Sequence, residues 1–225
     1  MATMYLHGSR LLSCVRRLWA VVRLPAADRI IIGAGTSSYP GWHATNVETL
    51  DVTRRADFVR YWEPGSREAF LAEHVWEHLS VPQAAQANAN CFEFLREGGW
   101  LRIAVPDGLH PDPGYRSAVA VGGHGCGADD HKVLYDHRLL REMLECAGYR
   151  VRLLEYWDEH GEFHHVPWSS QAGHVRRSRD ADRRNRDGVL RYTSLIVDAI
   201  KPGPHDEDPA ASSTDLSGGR TDRDI

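Results

Sequence analysis

Arg29-Ile30-Ile31-Ile32-Gly33-Ala34-Gly35-Thr36-Ser37-Ser38 is the stretch from which the fold can be read. Three consecutive isoleucines bounded by charge and small residues read as a short strand buried on both faces. The glycines that follow allow a close turn, and a turn at a strand end leaves backbone N–H groups open to a polar ligand. No GKS or GKT follows, so a phosphate loop is excluded. Ser38 stands where a dinucleotide fingerprint needs its last glycine, which disfavours a nicotinamide oxidoreductase.

Working outward, strands and helices alternate. A second strand is expected within Gly41–Glu48, and the third element, between Asp51 and Gly65, is short or irregular. Glu68-Ala69-Phe70-Leu71-Ala72 reads as a strand leading into Glu73-His74-Val75-Trp76-Glu77-His78-Leu79. Pro82 starts a helix carrying Ala85, Ala89, Phe92 and Leu95, with Gly98-Gly99 as its stop. Trp100–Val105 is a strand, Asp136–Ala147 an amphipathic helix stopped by Gly148, and Tyr149–Tyr156 and Tyr192–Ile200 are further strands. Strand–helix–strand order with short connections predicts a mainly parallel sheet covered by helices. Two long irregular insertions, 106–134 and 158–191, interrupt it, and segments of that kind beyond strand ends are usual places for binding loops.

The bulk properties narrow the class. A chain of 225 residues with 42% hydrophobic and 26% charged residues suits one folded domain, and a net charge of -4 gives no general pull towards nucleic acid. Cys14, Cys91, Cys126 and Cys146 are scattered thiols of a reducing, cytoplasmic setting. No apolar run reaches membrane-spanning length. Residues 1–28 show apolar positions at helical spacing among arginines, an amphipathic extension open to packing on the domain, to a partner or to homodimerisation. Residues 203–225 lack an apolar pattern and read as a disordered tail.

Four ordered landmarks resemble the class I S-adenosylmethionine-dependent methyltransferase superfamily, in its compact bacterial branch. They are IIIGAGTSSYPGW (30–42), AEHVWEHL (72–79), FLREGGWLRIAVPDG (94–108) and YTSLIVDAIKP (192–202). The resemblance covers residues 29–202. It implies an α/β fold with a doubly wound, mainly parallel seven-stranded sheet whose last strand is antiparallel, and S-adenosyl-L-methionine as cofactor. Carried onto this chain, Gly33, Ala34 and Gly35 face the amino acid part of the cofactor. The family's ribose-holding acid falls at Asn46, with Glu48 close by, and Asp57 matches the acid near adenine. Glu73 and His74 line the sulfonium and methyl end.

Candidate chemistry outside the cofactor site is concentrated in Gly122-Gly123-His124-Gly125-Cys126-Gly127-Ala128-Asp129-Asp130-His131. His131 offers a proton acceptor and Asp130 a group to orient it, with His74 the other acid-base candidate. The spacing of His124, Cys126, Asp130 and His131 matches no known metal scaffold, so no metal is expected there. Tyr135, and Tyr156, Trp157, Asp158, His160, His164, His165 and Trp168, are candidate walls of an acceptor pocket. Arg176 and Arg177 offer recognition of a carboxylate or phosphate, or simply a solvated surface. The expected function is direct methyl transfer to a small-molecule acceptor; the alternative is a methyltransferase-like ligand-binding or partner-regulating protein without turnover.

Overall fold

The computed structural model describes residues 27–204. The expected N-terminal helix and almost all of the expected tail lie outside them. The strands are β1 (Arg29–Ile32), β2 (His43–Ala44), β3 (Arg67–Glu73), β4 (Leu95–Pro106), β5 (Arg150–Trp157), β6 (Phe163–His165) and β7 (Ser194–Ile200), and the helices α1 (Arg55–Val59), α2 (Val81–Phe94), α3 (Pro113–Val119) and α4 (His137–Cys146). They build one seven-stranded sheet in the order β2-β1-β3-β4-β7-β5-β6. β1, β2, β3 and β4 pair in parallel, and β7 is antiparallel to both β4 and β5, between which it lies. This is the mainly parallel, Rossmann-like sheet of methyltransferase type, with its last strand inserted in reverse.

The sheet departs from expectation at one edge, whereas the element between Asp51 and Gly65 is short, as expected. The segment after β2 forms the short helix α1, so no strand lies outside β2 among the described residues. The count of seven is completed at the other edge by β6, antiparallel to β5 and built inside the second insertion. Phe163-His164-His165 has no alternating pattern from which a strand would be read.

Each helix is stopped or started by a local device. α2 has a capping box, Ser80 with Gln83, and Pro82 in its first turn. Its end comes at Phe94, ahead of Gly98-Gly99, where Leu95 turns extended into β4, and Lys201 Nζ donates to the carbonyls of Phe92 (2.9 Å) and Leu95 (2.8 Å). Those carbonyls have no partner inside the helix, and a lysine near the last turn satisfies them from outside. The two glycines lie within β4, where the register against β3 shifts. At α4, the Asp136 side chain accepts from the N–H groups of Arg138 and Leu139, and Gly148 takes a positive φ after its end.

Two apolar layers flank the sheet. On one face α1, α2 and α4 contribute Phe58, Ala84, Ala87, Cys91, Phe94, Leu140 and Leu144 against Ile30, Ile32, Phe70, Ile103 and Val197. On the other, Ile31, Leu71, Ala104, Leu154 and Ile196 are covered by Trp42, Val175 and Trp168, two of them from the second insertion. Full burial of each Ile or Leu is worth about 1.5–3 kcal/mol. Arg102 fastens that insertion down: it is 1% exposed, binds both Asp198 oxygens (2.7 and 2.8 Å) and donates to the carbonyls of Ser169 and Gly173. The strand order turns at β1, with β2 on one side and β3 on the other, so a crevice opens where both strands end.

Candidate functional site

β1 enters its turn with Gly33 at φ 61° and Gly35 at φ 55°, backbone that side chains rarely adopt. The two glycines differ in what surrounds them. A Cβ on Gly33 would lie 2.6 Å from Val75 Cγ2, so the turn after β3 packs directly on it. A Cβ on Gly35 would meet nothing within 4 Å, so the absent side chain leaves open space. The turn is held by Ala34 N–H donating to Thr45 O and Thr45 N–H donating to Ile31 O, each at 2.8 Å. Asn46 closes the loop from the side: its Oδ1 accepts the Gly35 N–H at 2.8 Å and its Nδ2 donates to Gly35 O at 3.4 Å.

At the end of β3 stand Glu73 and His74. The Glu73 carboxylate accepts from the backbone N–H groups of Arg176 (3.2 Å) and Arg177 (3.0 Å), which brings the second insertion over the strand ends. His74 has φ 57°, the left-handed conformation, and its N–H donates to Ala104 O. Its ring is wedged between Glu77 Oε1, 3.0 Å from Nδ1, and Ser194 Oγ, 3.1 Å from Nε2. The adjacent carboxylate favours the proton on Nδ1, leaving Nε2 to accept from Ser194. Trp76–His78 forms a 3₁₀ turn fixed by the buried Trp76, whose Nε1 donates to Asn88 Oδ1 at 2.9 Å.

These elements enclose a cleft of about 380 Å³ lined by Gly33 to Ser37, Tyr39, Glu73, His74, Glu77, His78, Cys126, His131, Arg176 and Arg177 among others. A second cavity of about 440 Å³ lies beside it, walled by Asp112, Tyr115, Ala118, Val119, Arg184, Arg191 and Tyr192. His74, Cys126, His131 and Arg177 line both, so they form the boundary between the two. Volumes of this order accommodate small ligands. In the second cavity, Arg184 lies over the Tyr192 ring at 3.5 Å while its guanidinium binds Asp182, and Arg191 is paired with Asp187. Burial pushes the hydroxyls of Tyr115 and Tyr192 above the ordinary tyrosine value.

The candidate residues named from sequence divide accordingly. Gly33, Ala34, Gly35, Glu73, His74 and His131 are brought together in the first cleft. Asn46, Glu48 and Asp57 do not line it: Asn46 holds Gly35, Glu48 is exposed, and Asp57 Oδ2 accepts the Asp51 N–H. Asp130 stands behind the cleft, 3.4 Å from His78 Nδ1 and paired with Lys132. Tyr135 is fully buried in the core. Tyr156 and His164 stack on each other in the β5–β6 hairpin, where Asp158 binds His164, and none of these lines either cavity. Reading by sequence missed Glu77 as a cleft residue and Tyr115, Arg184, Arg191 and Tyr192 as walls. Glu77 carries the one available signal, an acid inside an apolar Val75-Trp76-Leu79 run.

The chain's residues fit the cofactor that the landmarks imply, on two observations. The open position at Gly35 is a cradle that any side chain would fill. Glu73 and Glu77, 9% and 1% exposed at their side chains, set two carboxylates in the wall of the same cleft, which suits a cationic group.

No family model and no curated protein matches the chain. Solved structures similar to it include an S-adenosylmethionine-dependent methyltransferase from Archaeoglobus fulgidus, with 14% identity, 86% of this chain and 95% of that chain covered, and TM-score 0.46. One from Thermotoga maritima has 12% identity, coverage of 84% and 87%, and TM-score 0.46. Phosphoethanolamine N-methyltransferase 2 of Haemonchus contortus, in complex with S-adenosyl-L-methionine, has 10% identity, coverage of 87% and 53%, and TM-score 0.44.

Proposed function

We propose that this protein transfers a methyl group from S-adenosylmethionine to a small-molecule acceptor, with the cofactor in the first cleft and the acceptor in the second cavity. The observation that carries the reading is the shared wall: two cavities at the strand ends of a Rossmann-like sheet meet at His74, Cys126, His131 and Arg177. When bound, the cofactor supplies an electrophilic methyl on a positively charged sulfur. The chain's residues then need only hold, orient and shield. The Gly33–Gly35 turn gives the backbone approach, and Glu73 supplies negative charge at the end of β3. The second insertion, tied to Glu73 through the backbone of Arg176 and Arg177, lies over the strand ends and shields one side of the cleft. His74 Nε2 is the proton acceptor at the boundary, released from Ser194 when an acceptor hydroxyl or amine takes that place.

A second reading, a methyltransferase-like binding protein without turnover, is favoured by one feature. Asn46 and Glu73 both spend their side chains on backbone groups of this chain, leaving less for a ligand. Calorimetry with S-adenosylmethionine and its demethylated product tests both. Saturable one-site binding followed by release of the demethylated product with small hydroxyl, amine or carboxylate acceptors is the expected result. Binding without turnover across that set supports the second reading, and no binding of either molecule to folded protein refutes both.

A further inference from the structure

The wall between the two cavities holds a group of side chains with an unmet requirement. Glu77 is 1% exposed, yet neither of its carboxylate oxygens has a hydrogen-bond donor in line. His74 Nδ1, at 3.0 Å from Oε1, is near but out of hydrogen-bond alignment. A buried carboxylate so poorly served is costly unless a cation stands against it.

Two histidines provide the rest of a site for that cation. One ligand atom from each of Glu77, His78 and His131 lies within 4.8 Å of the others. His131 Nδ1 donates to Val119 O at 2.8 Å, because a carbonyl only accepts, and the other nitrogen of that ring is left for an ion. His78 Nδ1 stands 3.4 Å from Asp130 Oδ2, near enough for the carboxylate to steer the ring. Metal-binding histidines are oriented in this way, by a carbonyl or carboxylate on the nitrogen away from the ion. Asp130 is itself steadied by Lys132 Nζ at 2.5 Å.

We propose that Glu77, His78 and His131 bind a divalent transition metal ion, zinc being the best match to two imidazoles and one carboxylate. Bonds of about 2.0–2.2 Å in a tetrahedron place donor atoms about 3.4 Å apart, so side-chain rotations of roughly an ångström draw these three onto one ion. The fourth position opens towards the cavities, because all three residues line the first cleft and His131 also lines the second. The sequence reading looked for a metal within residues 124–131 alone. Two of the three ligands come from the turn after β3, which only the fold brings opposite that loop.

The test uses the untagged full chain, stripped with chelator, with no cofactor or acceptor present, so that its outcome is independent of methyl transfer. Zn²⁺ is titrated by calorimetry and Co²⁺ by visible absorption, for wild type, Glu77→Gln and His78→Gln. Glu77→Gln removes a buried charge without changing shape, and His78 is a third exposed at its side chain, so circular dichroism is expected to show both variants folded. The expected result is one ion per chain, a tetrahedral Co²⁺ spectrum, and loss of at least tenfold in affinity in each variant. A melting temperature that rises with Zn²⁺ in wild type alone is the accompanying readout. Absence of one-to-one binding, or affinity untouched by either substitution, overturns the assignment.

Discussion

Asp107 and His110, buried within four positions of each other after β4, titrate in opposite senses, and their effects on stability nearly cancel. Burial raises the Asp107 carboxyl from its ordinary 3.8 to about 6, although it accepts the N–H groups of Trp157 and Leu109. Burial lowers His110, which stacks on Tyr115 at 4.0 Å, from 6.5 to about 4. Between pH 6 and 4 folded Asp107 holds a proton that the unfolded chain lacks, so this group favours the folded state more as pH falls. Over the same window the unfolded chain protonates His110 and the folded chain does not, so this group favours the folded state less. Each displacement spans about two pH units, or about 3 kcal/mol, with a slope of about 1.4 kcal/mol per unit and opposite sign. Urea denaturation of wild type, Asp107→Asn, His110→Phe and the double variant at pH 7, 6, 5 and 4 isolates each group as a difference from wild type. Relative to wild type, Asp107→Asn is expected to lose ground by about 3 kcal/mol on going from pH 7 to 4 and His110→Phe to gain about as much. Differences independent of pH in both single variants would refute the burial argument.

Arg102→Met leaves Asp198 with a buried charge and frees the second insertion, and is expected to cost about 3–5 kcal/mol in denaturant, most of it recovered in Arg102→Met with Asp198→Leu. A loss below about 1 kcal/mol would show that the pair is not a fastener. Gly33→Ala and Gly35→Ala separate packing from ligand access. The first meets Val75 and strains φ, so it is expected to unfold more easily by about 2–4 kcal/mol. The second carries the strain without the clash, so its larger effect is expected in calorimetric cofactor affinity; equal stability losses would contradict the assignment. His74→Asn keeps a residue tolerant of left-handed backbone and is expected to reduce turnover of acceptors that must lose a proton by about 10²–10⁴-fold, a loss well beyond any change in calorimetric cofactor affinity. Undiminished turnover would remove His74 as the base.

What could be read from the sequence was what local chemistry decides. Ile30-Ile31-Ile32, Leu195-Ile196-Val197 and the capped helix α4 carry their own signals, because apolar runs and cap residues act within a few positions. The end of α2 did not, because Gly98-Gly99 is a sound local stop, whereas Leu95 already pairs with Arg67 of β3 and the free carbonyls there are met by Lys201, more than a hundred positions away. β6 was equally hidden: its three residues pair with β5 through the backbone and through the Tyr156–His164 and Trp157–Phe163 ring contacts, with no alternation to announce it.

The site follows the same division. Gly33 and Gly35 are legible because a strand-end turn needs glycine whatever lies across from it. Asn46 is legible as a position near the cofactor but not as a clamp, since its partner is the Gly35 backbone eleven positions earlier. Glu77 is the sharpest case. In sequence it is an acid among apolar neighbours with no partner in view; the fold buries it and brings His131 within reach. A carboxylate with no donor in line, within reach of two imidazoles of which one is fixed through Nδ1 by a backbone carbonyl, is an arrangement that packing alone has little reason to keep. Removing its charge therefore separates two accounts by sign. If the group only fills space, Glu77→Gln stabilises the chain by relieving an unpaired buried charge, with or without zinc. If it holds an ion, the gain is confined to the metal-free protein and reverses when zinc is present.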